Sequence, residues 1–275
     1  MTGQTIEGAE AITLDFGNTL VPFPAGPMAA VLDATARLSA RSLGVDPDEF
    51  RRLWTEERAR QMIEDVPEGR EAYMDVRAIR VLARLRGCAK PAEGRRWDDS
   101  VTAQHSSAAE IASVVDAYAN AFVDLTPVPP GIGPMLERLA GSYRLAILSN
   151  WPLALAIDRF VDAAGWRRHL SAIVVSQRVG VIKPRPEIFR VAAAELGVVS
   201  GPSILHVGDD LGADVLGAQV LGWRAAWVRL KPEDSPLPAA ALPPPGTKPD
   251  VTIDSVLDLE AALAPAGSSG SPAGD

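Results

Sequence analysis

Short apolar runs recur along the chain at 12–14, 145–148, 173–175, 204–207 and 225–228. Most are separated by segments whose apolar residues return about every three to four positions, so strand-length and helix-length patterns alternate. That alternation predicts βα units feeding a doubly wound, Rossmann-like parallel sheet, an α/β fold. Helices are predicted over 131–140, 154–164, 186–196 and 213–221, each stopping near a glycine (Gly141, Gly165, Gly197, Gly222) suited to a helix C-terminus. A last short strand is expected at 250–253.

Between Leu20 and Asp124 the pattern changes. Ala, Arg, Leu and Glu dominate with helical spacing over 28–43, 47–63, 70–85 and 107–122, and strand signals are scarce. The stretch reads as an all-helical insert, giving an expected core of 1–22 and 124–264 around an insert of 23–123. Residues 87–107 lack a period and read as a loop. The Pro/Ala-rich 231–249 reads as a surface excursion, and the Gly/Ser/Pro-rich 265–275 as a disordered tail.

With 275 residues the chain can bury a sizeable core. A formal net charge of -8 and the lack of a Lys/Arg run disfavour nucleic acid as a partner. No apolar run reaches the roughly 18 residues of a membrane span, and a basic, then apolar leader is not evident, so a cytoplasmic protein without membrane partners is expected. The single cysteine, Cys88, excludes an internal disulfide and a Cys-rich zinc site, and His105, His169 and His206 lack metal-ligand spacing. His206 reads as a packed core residue. The insert's Arg37, Arg41, Arg51, Arg52, Arg58 and Arg60 read as solvated helix arginines.

The candidate chemistry sits where strands meet loops. Ala11-Ile-Thr-Leu-Asp-Phe-Gly-Asn-Thr-Leu20 and Leu205-His-Val-Gly-Asp-Asp-Leu-Gly-Ala-Asp214 each end an apolar run with acid. Desolvating a carboxylate is costly unless cations or donors compensate, so Asp15, Asp209 and Asp214 converging at strand ends would make a divalent-metal site. Leu145-Ala-Ile-Leu-Ser-Asn150 ends in a hydroxyl and an amide, and Val179-Gly-Val-Ile-Lys-Pro-Arg-Pro-Glu-Ile-Phe189 places a lysine before a Pro-x-Pro helix start.

In order and spacing these segments resemble motifs I to IV of the haloacid dehalogenase (HAD) superfamily, over residues 10–22 and 125–260. The resemblance implies a hydrolase whose insert is a type 1 helical cap that reads the substrate. It implies Asp15 as nucleophile, forming an aspartyl-phosphate with a small phosphorylated substrate. Ser149 would donate to a phosphate oxygen, Lys183 would neutralise the same group while steadying Asp15, and Thr19 and Asn150 would orient the loops beside the substrate. Mg²⁺ would be held by Asp15, the Gly17 carbonyl and Asp209, with Asp210 and Asp214 behind them.

Gly17 departs from the family's phosphatase pattern, which has a second aspartate there to protonate the leaving oxygen. Glycine cannot transfer a proton, and losing acid-base assistance typically costs about 10²- to 10⁴-fold. Three readings stay open: a phosphatase that borrows an acid from the cap or takes activated esters, a 2-haloacid dehalogenase, or a non-enzymatic binding protein on the same scaffold. Retained Asp209, Asp210 and Asp214 argue against dehalogenation, and Lys90, the only cap lysine, lies in a loop unsuited to the Schiff-base role of a phosphonatase. Trp151, after the Ser-Asn pair, is expected to border the pocket.

Overall fold

The computed structural model describes residues 6–263; the tail expected at 265–275 lies outside them. After β1 (Ala11–Leu14) the chain runs through helices and loops: α1 (Ala25–Leu43), α2 (Pro47–Glu64), α3 (Met74–Leu85), the short α4 (Asp99–Thr102) and α5 (Ala108–Leu125). Strands and helices then alternate: α6 (Ile132–Ala140), β2 (Arg144–Ser149), α7 (Ala154–Ala163), β3 (Ala172–Val175), α8 (Ser176–Val179), α9 (Pro186–Leu196) and β4 (Ile204–Gly208). A π-helical turn over Leu211–Leu216 leads into α10 (Gly217–Val220), followed by β5 (Arg224–Val228), β6 (Val251–Ile253) and α11 (Leu259–Ala262).

The strands form one parallel sheet in the order β3-β2-β1-β4-β5-β6. The chain therefore steps one way from β1 to β2 and β3, and the other way to β4, β5 and β6. At such a reversal the connections leave on opposite faces, and a crevice opens beyond the carboxyl ends of the central strands. The doubly wound sheet expected from the sequence is present.

Period-two alternation splits the sheet's side chains between two cores. Ile12, Leu14, Leu145, Ile147, Leu205 and Val207 face one; Ala11, Ala146, Leu148, Ile204 and Ala225 face the other, against Phe189 and Trp223. The first core runs on into the helical insert. Phe16 and Phe23, just after β1, meet Phe122 of α5, Trp151 and Phe160 with ring centroids 5.1 to 6.3 Å apart. Insert and sheet thus share one hydrophobic body.

Local signals account for most boundaries. Asp46 caps α2 through Glu49 N–H with Pro47 in its first turn, and a Ser107–Glu110 capping box starts α5. Three stretches differ from expectation. Residues 70–73 are not helical, because their backbone pairs with the core: Arg70 bridges Val181, Ile182 N–H donates to Gly69 O at 3.1 Å, and Met74 N–H to Pro152 O at 3.2 Å. The loop predicted at 87–107 contains α4, which Asp98 nucleates by accepting from Ser100 and Val101 N–H. And 231–242, read as a surface excursion, folds back as a strap over the strand ends. Among the described residues no helix is long and apolar enough to cross a membrane.

Phe122 is fully buried between insert and sheet. Phe122→Ala should lower unfolding free energy by about 3–5 kcal/mol in chemical denaturation, and a loss under about 1 kcal/mol would mean the two halves do not share a core.

Candidate active site

Asp15 follows β1 directly, and its N–H still belongs to the sheet, donating to Val207 O at 2.9 Å. The chain then folds into a tight turn in which the Phe16 carbonyl accepts from Leu20 and Val21 N–H at 3.1 and 2.9 Å. The left-handed residue of this turn is Asn18, with φ 57°, whose Oδ1 accepts from Phe23 N–H at 3.1 Å. Gly17 does not have positive φ, so backbone conformation does not require glycine there. A side chain there would crowd the strap: a Cβ on Gly17 would lie 2.7 Å from Leu237 Cδ1, so that this side-chain end would have to shift, and in ordinary contact with Trp151 at 3.6 Å and Phe23 at 3.8 Å.

Lys183 organises the acids. It is 2% exposed, and its ammonium donates to Asp15 Oδ1, Asp214 Oδ1 and the Leu148 carbonyl, each at 2.7 Å. All three of its protons are thereby used. Burial alone would lower the lysine's pKa, but the Asp15 and Asp214 charges outweigh it and hold the group above its ordinary value. Asn150 clamps the same residue, its Oδ1 accepting from Lys183 N–H at 2.7 Å and its Nδ2 donating to Lys183 O at 3.1 Å. The Asn150 amide, expected to orient the loops beside the substrate, lines the cavity and positions the lysine.

Asp214 is 2% exposed and also accepts from His206 Nε2 at 3.1 Å and from Asp210 N–H at 2.9 Å. Despite burial, Lys183 and the hydrogen bond from His206 keep its pKa below the usual carboxylate range. His206 is fully buried, as expected of a core residue, with its pKa lowered by desolvation. Its neutral ring donates from Nε2 to Asp214 and accepts at Nδ1 from the Thr13 hydroxyl, 2.8 Å away. Asp210 turns its carboxylate to Gly212, Ala213 and Ala240 N–H, capping the π-helical turn and anchoring the strap.

One oxygen each of Asp15, Asp209 and Asp214 lies within 4.8 Å of the others, an arrangement that could hold a metal ion. Asp214 has both oxygens engaged, whereas Asp15 Oδ2 and Asp209 Oδ1 have no hydrogen bond among the described residues. Asp209 Oδ2 accepts from Lys231 Nζ, on the strap, at 2.8 Å. Burial, reinforced by the neighbouring carboxylates against the pull of Lys183, raises Asp15 from its ordinary 3.8 to about 7. Burial and Asp214 raise Asp209 from 3.8 to about 6. Crowded, desolvated carboxylates of this kind fit a divalent cation, which would relieve their repulsion. The Gly17 carbonyl, unused by the turn's own hydrogen bonds, follows Asp15 by two residues.

Beside the strand-end acids, the buried hydroxyls Ser149 Oγ and Thr19 Oγ1 have no hydrogen-bond partner among the described residues. Ser149 lines a cavity of about 970 Å³ that opens from Asp15 and Asp209 toward the insert. Trp151 borders it, as expected from its place in the chain. Other walls carried no signal in the chain's local pattern: Glu71 and Arg77 from the insert, and Leu237, Ala239 and Leu242 from the strap. Glu71 accepts from Ala72 N–H and from the Ser176 hydroxyl, tying the insert to the end of β3. Only the oddity of a charged residue at a core-facing helical position could have drawn attention to Arg77.

The family model for haloacid dehalogenase-like hydrolases matches residues 9–222. A pyrimidine 5'-nucleotidase of Escherichia coli (strain K12) is 28% identical over 148 residues, 54% of this chain and 62% of that protein. A phosphoserine phosphatase of Thermus thermophilus is 34% identical over 127 residues, 46% of each. The chain spans about half to three-fifths of the length of these curated relatives. The crystal structure of a 2-haloacid dehalogenase from Pseudomonas syringae pv. Tomato superposes with a TM-score of 0.62 at 21% identity, over 92% of this chain and 97% of that one, a likeness of fold.

Raised pKa values mean that the folded state binds protons more tightly at Asp15 and Asp209, so their contribution to stability falls as pH rises from 3.8 through about 7. Asp214 acts oppositely, stabilising above 3.8 and losing that effect only as pH falls below it. In chelator, the melting temperature should therefore drop between about pH 5.5 and pH 8, and added divalent cation should restore it at the higher pH. A flat profile with no response to cations would show that these acids do not crowd.

Proposed function

Because the chain belongs to the haloacid dehalogenase-like hydrolases, we propose that it is a Mg²⁺-dependent phosphatase acting on a small phosphorylated metabolite through an aspartyl-phosphate on Asp15. The observation that carries this reading is the Asp15 carboxylate itself. Lys183 holds Oδ1 while Oδ2 stays free, at the mouth of a cavity that also presents the unpartnered Ser149 hydroxyl. Oδ2 would attack phosphorus and the ester oxygen would leave; water would then hydrolyse the acyl phosphate and restore the carboxylate. Ser149 supplies a donor for a phosphate oxygen, while Thr19, buried in the turn after β1, does not line the cavity. Asp15, Asp209 and the Gly17 carbonyl would hold Mg²⁺, which when bound neutralises phosphate charge and offsets the crowded acids.

Lys183 acts through Asp15 rather than directly on phosphate, because each of its protons already has an acceptor. Lys183→Met should therefore do more than slow turnover. It strands Asp15 and Asp214 without their shared counter-charge, at a cost of about 3–5 kcal/mol in folding stability.

Gly17 shapes the substrate range. Where the family's phosphatases carry an acid, the strap sets Leu237 and the core sets Trp151 and Phe23. The leaving oxygen gets no proton from that side, which favours esters whose leaving group departs as an anion, such as aryl or acyl phosphates. The same missing acid favours a second reading, displacement of halide from a 2-haloacid, which needs no proton donor and no cation. The phosphatase relatives and the acid cluster support the first.

A panel of aryl and alkyl phosphates and 2-haloacids, with and without Mg²⁺, decides between them. Aryl phosphates should turn over about 10²- to 10⁴-fold faster than alkyl phosphates. Asp15→Asn should abolish turnover, and Asp209→Asn should weaken Mg²⁺ binding at least about tenfold. Gly17→Asp alone should gain little, because Leu237 fills the space; combined with Leu237→Ala it should raise alkyl phosphate turnover on the order of 10²-fold. Metal-independent release of halide, with no ester cleaved, would overturn the reading.

A further inference from the structure

The insert's end of the cavity carries positive charge that no carboxylate balances. Arg77, at the start of α3, is 3% exposed and lines the cavity. Its Nε donates to Gln61 Oε1 at 2.8 Å and Nη2 reaches the Ala72 carbonyl at 3.5 Å, while the guanidinium lies 5.3 Å from the centroid of the Trp54 ring. Among the described residues no acid oxygen comes within 4.0 Å of it. Its neighbours on the same helix are treated differently: Arg80 pairs with Asp99 at 2.8 Å and Arg84 with Glu57 at 3.0 Å. Glu71, the carboxylate that acts on Arg77 through space, already spends its two oxygens on Ala72 N–H and Ser176.

A second guanidinium adds to the imbalance. Arg58 of α2, half-buried on the same cavity, donates only to the Pro236 carbonyl of the strap, at 3.2 Å, and also lacks an acid within 4.0 Å. Burial, with repulsion from Arg58, lowers the Arg77 pKa to about 10. Trp151 contributes a buried indole N–H with no acceptor. A desolvated cation without a paired counter-charge is costly to keep, and its retention beside a second cation is explained if an anion completes the set. Guanidinium groups suit planar or tetrahedral oxyanions because their donors form a fork.

We propose that Arg77 and Arg58 form an anion subsite at the insert's end of the cavity, and that the substrate is a phosphate ester carrying a second acidic group, carboxylate or phosphate, across an apolar body. The proposal rests on the phosphatase reading of the Asp15 end. Between the two ends the walls are apolar, with Met28, Leu32, Met74 and Leu237 among them. The Arg58 described as solvated from the sequence is thus a cavity residue.

The test compares 4-carboxyphenyl phosphate with 4-carbamoylphenyl phosphate, which matches it in shape without the charge; 1,4-phenylene bisphosphate is the phosphate arm. The full-length protein should prefer at least one charged ester by about 10- to 100-fold in kcat/KM, mostly through KM, the range expected of a charge-assisted contact. Arg77→Met should collapse that ratio toward one, and Arg58→Gln should reduce it. Should Arg77→Met fail to fold by circular dichroism, the Arg58→Gln ratio decides. Ester cleavage with ratios near one for both charged probes would overturn the subsite and leave the phosphatase reading standing. If no ester is cleaved, that reading fails instead, and calorimetry with 4-carboxyphenyl phosphate judges the subsite. Binding weakened at least tenfold by Arg77→Met would support it; unchanged or undetectable binding would overturn it.

Discussion

One buried ammonium holds the catalytic face together. Lys183 joins the ends of β1 and β2 and the turn after β4 by donating to Asp15, Leu148 O and Asp214. Three strand ends that would otherwise present repelling acids and an open carbonyl become one rigid platform. Because the lysine satisfies one oxygen of Asp15, the other is left aimed and unpaired. Charge balance explains why both partners tolerate burial: two acids share one cation, and the neutral His206 adds a donor rather than a second charge.

The helical insert closes this platform through ordinary structural means. Backbone pairing of residues 69–74 with the core and the Glu71–Ser176 hydrogen bond fix its hinge side, while Phe23, Phe122 and Trp151 fill the seam. The strap completes the enclosure from the opposite chain end. Its anchors are polar: Lys231 on Asp209, Ser235 on Asn18, Ala240 N–H on Asp210. Acids and amides of the strand-end turns thus also hold the wall that covers them.

Enclosure and polarity then divide the cavity by function. At the sheet end lie the acids and unpartnered hydroxyls; toward the insert lie two arginines without acids. The space beside Gly17 is taken by Leu237, a residue more than two hundred positions away in the chain, and on the proposed reading this apolar contact stands where a proton donor would. Shape and proton inventory are coupled at that contact, since whatever fills the space beside Gly17 also decides what can protonate a leaving group.

The parallel sheet, the helical insert and the strand-end acids were legible in the sequence because each is a local pattern. Period-two apolar runs, three-to-four spacing and acids at strand ends depend on near neighbours in the chain. Asp15 and Asp209 could be named on that basis, since a carboxylate at the end of an apolar strand has few structural uses; Ser149 and Lys183 took their roles from the resemblance of their segments to the family's motifs. Asn150 and Asp210 could be placed but not assigned, because their partners are backbone groups at distant positions, Lys183 and Ala240. Arg77 and Arg58 looked like any other helix arginines, and Lys231–Leu242 like any Pro/Ala-rich loop. Whether an arginine is paired, and what a loop covers, depends on which surfaces meet when helices, strap and sheet pack together. Local patterns in the chain were enough for the scaffold and the acids at its strand ends; which arginines are left without a paired carboxylate, and which side chain packs against Gly17, follow from how distant segments meet.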